Sequence, residues 1–107
     1  MTPSRPTTKS YTAPESLGLD TRDRVRKDAI KLLDGLPANE GRLVIDLAAT
    51  RKVDSAGLGA LMLVQRHAES RRQAVALINV SEEIRFLLVL TKLDELFERD
   101  AEPASAS

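Results

Sequence analysis

A chain of 107 residues with 42% hydrophobic content has room for one domain with an ordinary core and none for a second. Its 16 basic and 16 acidic residues cancel, and neither sign gathers into a long block. That excludes the electrostatic footprint of a nucleic-acid or anionic-membrane binder and leaves protein partners as the expectation. The chain has no cysteine, which removes disulfides, thiolate metal sites and thiol catalysis together and fits a reducing cytoplasm; His67 is the one imidazole.

The longest apolar runs, around 56–64 and 86–90, fall short of the ~20 residues a membrane helix needs. The polar start MTPSRPTTKS lacks a signal-peptide apolar region. A soluble cytoplasmic protein with no membrane insertion is therefore expected. Residues 1–8 and 101–107 are too poor in apolar side chains to offset chain entropy and read as disordered tails around a domain at 9–100.

Within the domain, KSYTA at 9–13 reads as a short edge strand. LDTRDRVRKDAIKLLDGL then carries Val25, Ala29, Leu32, Leu33 and Leu36 at helical spacing, with Asp20 or Thr21 as its cap and Gly35 or Pro37 near its end. The branched apolar run RLVIDL gives a strand at 42–47, with Gly41 at its start. A second helix follows at 56–72, and AVALINV at 74–80 is a second buried strand. Ser81 before Glu82 and Glu83 starts a third helix across IRFLLVLTK, and Leu93 to Phe97 makes a short apolar close. Parallel strands cannot be joined by a tight turn, so the order strand, helix, strand, helix implies crossovers. The expected class is α/β, a small mixed or parallel sheet with helices packed mainly on one face.

In such sheets the loops after the strands carry function, which draws attention to Thr50–Ser55. Asp54 or Ser55 suits a helix cap, and Gly57 suits a close backbone approach. A serine hydrolase is excluded by spacing: His67 lies twelve residues along the same helix, roughly 18 Å away. A phosphate-cradling loop needs more glycine and a lysine in the opposite order from Lys52. Reversible phosphorylation of Ser55 remains compatible with the position, because a helix start tolerates added negative charge. Along the helix, Gly57, Ala60, Val64 and Ala68 form a small-residue side for packing. Leu58 and Met62 share a stripe that serves either as core edge or as a contact patch.

The segment LVIDLAATRKVDSAGLGALMLVQRHAE, followed by VALINVSEEIRFLLVLTKLDELF, resembles the STAS domain of bacterial anti-sigma factor antagonists over roughly residues 20–98. Its most specific part is DSAGLGAL after a strand ending in Asp-Leu; LTKLDELF is similar to the family's Leu-Thr-Gly-Leu-x-x-Leu-Phe closure. The resemblance implies a STAS fold shortened at both ends and a partner switch. In that family the serine after the aspartate is phosphorylated by a kinase that is itself an anti-sigma factor. The unmodified form binds the kinase and frees the sigma factor, and a PPM-type phosphatase resets the system.

By position, Ser55 would be the phosphoacceptor, with Asp54, Gly57, Leu58, Gly59 and Met62 at the partner contact. ATP and Mg²⁺ belong to the kinase, so the resemblance implies a binder and substrate, not an enzyme, with no cofactor or metal of its own. Arg51 and Lys52 stand where the family commonly has apolar or aromatic residues. They pair with a phosphate on Ser55 or are solvated loop charges, the commoner fate of exposed ions. The alternative reading is a constitutive STAS interaction module, as in a lipid-transporter accessory subunit or a multi-STAS complex, with Ser55 only a helix cap.

Overall fold

The structure, a computed structural model, describes residues 7–98. Of the expected tails, residues 1–6 and 101–107 lie outside the described residues, while Thr8 opens the first strand. In chain order the elements are strands β1 (Thr8–Thr12) and β2 (Ser16–Leu17), helix α1 (Arg22–Asp34), strands β3 (Arg42–Asp46) and β4 (Lys52–Val53), helix α2 (Ser55–Ser70), strand β5 (Ala74–Ile78) and helix α3 (Glu82–Leu90). One turn of 3₁₀ helix at Leu93–Leu96 supplies the apolar close.

The main sheet runs β1-β3-β5, with all pairs parallel and with Tyr11, Ile45 and Leu77 in one row. Alternation along each strand sends Leu43, Ile45, Val75 and the half-buried Tyr11 and Leu77 to one face. There they meet Val25, Ala29 and Leu33 from α1, Leu61, Val64 and Ala68 from α2, and Ile84 and Leu88 from α3. The helices thus cover one face. On the other face of β1, Thr8, Ser10 and Thr12 are exposed.

The caps explain where the helices begin and end. Ser81 stands in extended conformation and its hydroxyl accepts from the Ile84 amide at 3.2 Å, so the acidic start of α3 is a capped one. Thr21 occupies the cap position of α1 but does not cap it. Its hydroxyl instead accepts from the Gly18 amide at 3.1 Å and donates to the Ser16 carbonyl at 2.7 Å, bracing the turn that leads in. At the far end of α1 the buried Gln73 donates from Nε2 to the carbonyls of Leu33 and Leu36, at 2.8 and 3.1 Å. The Leu33 carbonyl also accepts from the Leu36 amide at 3.0 Å and the Leu36 carbonyl from Arg71 Nη2 at 3.3 Å, so Gln73 adds a second donor to each acceptor at a buried helix end.

Strands β2 and β4 form a separate two-stranded parallel pair, Ser16 with Lys52 and Leu17 with Val53. Neither strand shows as alternation in the sequence. The loop before the second helix, Thr50–Ser55, includes the two strand residues Lys52 and Val53, and this pair carries Leu17 beneath the start of α2.

Candidate functional site

Strand β4 runs directly into α2, and the junction fixes both residues of the Asp54-Ser55 pair. Asp54 is the cap: its backbone is extended, and its Oδ1 accepts from the Gly57 amide at 3.0 Å. Its Oδ2 accepts from the Leu19 amide at 3.2 Å, so one carboxylate ties α2 to the turn before α1. The Gly57 amide first, then that of Leu19, hold the Asp54 carboxyl below its ordinary pKa, with lesser help from the Ala56 amide and the Arg22 guanidinium.

Ser55 is the first helical residue; it is exposed, and its hydroxyl makes no hydrogen bond among the described residues. Of the two cap residues the sequence offered, Asp54 is the one that caps α2, and Ser55, the cap of the alternative reading, stands inside the helix. Asp54 already accepts from the Gly57 amide, and the Ser55 side chain is left exposed.

The two glycines divide. A Cβ on Gly57 would lie 1.9 Å from the Leu17 carbonyl oxygen, and the residue is buried. Gly57 is thus a spacer between α2 and β2 rather than a surface for a partner. Nothing lies within 4 Å of a Cβ placed on Gly59. That residue opens onto a groove of about 530 Å³ between α1 and α2, lined by Arg22, Arg26, Ser55, Gly59, Met62 and Leu63 among others. Met62 is half-buried and lines the groove, whereas the half-buried Leu58 packs on the core.

Arg51 and Lys52 do not line it. Arg51 Nε lies 3.7 Å from Glu15 Oε2 across largely exposed side chains, and the backbone amides of Arg51 and Lys52 donate to the Glu15 carbonyl. The charges that share the groove with Ser55 are Arg22, Asp23 and Arg26 on α1, which the sequence reading did not single out. Their signal was the four-residue spacing of the two arginines, which puts them on one side of α1. His67 hydrogen-bonds Asp34 at 2.7 Å, at the opposite end of α2 from Ser55.

Among the described residues no group of three or more histidine or acidic side chains is placed to hold a metal ion. Nor is any described helix long and apolar enough to cross a membrane.

The profile of the family described as "Mlab, STAS domain" matches residues 17–98. This chain belongs to the STAS domain family. A STAS-domain containing protein of Pseudomonas aeruginosa is 35% identical over 57 residues, 53% of this chain and 56% of that protein. The match thus spans little more than half of either. A sulfate transporter family protein of Wolinella succinogenes superposes with a TM-score of 0.72 at 18% identity, over 86% of this STAS domain and 72% of that chain. The anti-sigma factor antagonist SpoIIAA, in its unphosphorylated form, superposes at 0.70 with 15% identity, over 89% and 81%. At such identities the likeness is one of fold, and two kinds of STAS protein share it about equally.

Proposed function

We propose that this STAS domain is an anti-sigma factor antagonist that works as a phosphorylation-controlled partner switch in the cytoplasm. The observation that carries the reading is the Ser55 hydroxyl, exposed and unbonded at the mouth of a groove while Asp54 does the capping. In the unmodified state the groove receives an anti-sigma factor that is also a serine kinase. The kinase transfers the γ-phosphoryl of its ATP to Ser55 Oγ, a base on the kinase takes the hydroxyl proton, and ADP leaves. A PPM-type phosphatase later hydrolyses the ester, and this chain performs no catalysis itself.

Phosphate adds about 1.5 to 2 negative charges, and like charges forced together across an interface cost several kcal/mol. At ~1.4 kcal/mol per tenfold, release by a hundredfold or more follows. Incubation with the co-encoded kinase and MgATP, followed by mass spectrometry, should place one phosphate on Ser55. Ser55→Asp should weaken kinase binding about a hundredfold while Ser55→Ala retains it. An active kinase that leaves Ser55 unmodified would sink the proposal.

A constitutive interaction module is the second reading. It is favoured by the fold shared with a sulfate transporter family protein and by the apolar outer side of α3, where Phe86 and Leu90 are each 65% exposed. A complex indifferent to Ser55→Asp but lost with Phe86→Asp would decide for it.

A further inference from the structure

A phosphate on Ser55 would enter a groove that already holds charge of both signs. Arg22 and Arg26 line it, and so does Asp23, whose Oδ1 lies 3.8 Å from Arg26 Nη2 and 4.0 Å from Arg22 Nε. Asp54, just behind, has both oxygens committed to backbone amides. We propose that Arg22 and Arg26 receive the phosphate of modified Ser55, forming a phosphoserine site within the chain; this rests on Ser55 being the modified residue.

Three observations support the exchange. The Asp23 pairs are long and exposed, with the Asp23 side chain 81% accessible, so they hold the guanidiniums weakly. A phosphate offers three acceptor oxygens and up to two charges, and the planar guanidinium fork binds it in preference to a distant carboxylate. Space is available as well: Ala56, Gly59 and Ala60 are the small residues beside Ser55 in the groove wall, and nothing stands over Gly59. The consequence for the switch is a second effect beside repulsion. Two cations that the unmodified domain presents to an acidic partner are taken up by its own phosphate.

The test uses the full chain with phosphoserine installed at position 55 during translation, so no kinase is needed. The second ionisation of the phosphate, ordinarily at a pKa of about 6, is followed by ³¹P NMR against pH. It should lie about half a unit or more higher in the Arg22→Gln/Arg26→Gln chain than in the otherwise native one. Arg51→Gln/Lys52→Gln should leave it in place. Equal values with and without the two α1 arginines would overturn the proposal. Should the double glutamine chain not fold, Asp23→Asn tests the same contact, because freeing the guanidiniums should lower the phosphate's second pKa further; an unchanged value overturns it equally. A kinase that ignores Ser55 would end the partner switch without altering this titration. Equal second pKa values in the two chains beside efficient phosphorylation would end only the arginine site.

Discussion

Gly57 and Gly59 stand two residues apart in one helix. A methyl group added at the first would sit 1.9 Å from the Leu17 carbonyl oxygen, and one added at the second meets no atom within 4 Å. The same short motif thus serves two faces with opposite demands. The inner face, Asp54 and Gly57, is clamped to β2 and to the turn before α1 by a cap, a second hydrogen bond and a backbone contact. The outer face, Ser55 and Gly59, is left unfilled beside the groove. A domain that must present a rigid surface to a partner needs both, since an open groove is useful only if its floor does not move.

The largest expected effect breaks the inner face. Gly57→Ala forces a methyl group into backbone that cannot step aside, and thermal or urea unfolding should record a loss of about 3 kcal/mol or more. A loss below about 1 kcal/mol would mean that α2 can slide off β2 and that the clamp described above is soft.

Gly59→Ala should carry the opposite sign. Removing a helix-interior glycine where there is room gains about 0.5 to 1 kcal/mol of stability. The added methyl also narrows the groove, so kinase binding measured by calorimetry should weaken while the melt improves. A chain that gains stability with unchanged binding would move the contact away from Gly59.

The smallest effect is in acid. Hydrogen bonds from Gly57 and Leu19 to Asp54, and from Asn79 and Ala48 to Asp46, hold both carboxyls below their ordinary values. A group with a depressed folded pKa stabilises the fold above its unfolded value and loses that contribution as pH falls through the folded one. The melting temperature should therefore be level above about pH 5 and decline below about pH 4. Asp54→Asn, which still accepts the cap hydrogen bond, should shorten the declining limb. An unaltered limb would place the acid sensitivity elsewhere than in the cap.

The helices and the three main strands were legible because each carries a long period and a chemical stop. Val25, Ala29 and Leu33 recur at helical spacing, and Ser81 with two glutamates announces α3, whose strand-like Ile84 to Leu90 would otherwise mislead. The β2-β4 pair was not legible, since two-residue strands have no alternation to detect. Thr21 looked like a cap and became a brace because the chain turns sharply at Ser16 to Gly18, within reach of its hydroxyl. At the site, Asp54 and Ser55 are equally good caps by residue type, and only backbone conformation separates them. Arg22 and Arg26 come to Ser55 through the packing of α1 on α2, a proximity with no trace in linear order, whereas the nearer Arg51 and Lys52 in the sequence lie outside the groove.

The all-parallel pairing also bears on how the domain is made. Thr8 pairs with Arg42, and Arg42 with Ala74, so no two strands of the main sheet are joined by a hairpin and each contact waits for a helix to be traversed. Such non-local topology folds more slowly than a local one of equal stability. On the ribosome β1 has no partner until β3 emerges, and the floor under Ser55 is absent until β2, β4 and α2 have met. A nascent chain would therefore display the serine's sequence well before it displays the serine's site. A partner that reads the groove rather than the peptide would distinguish finished molecules from unfinished ones.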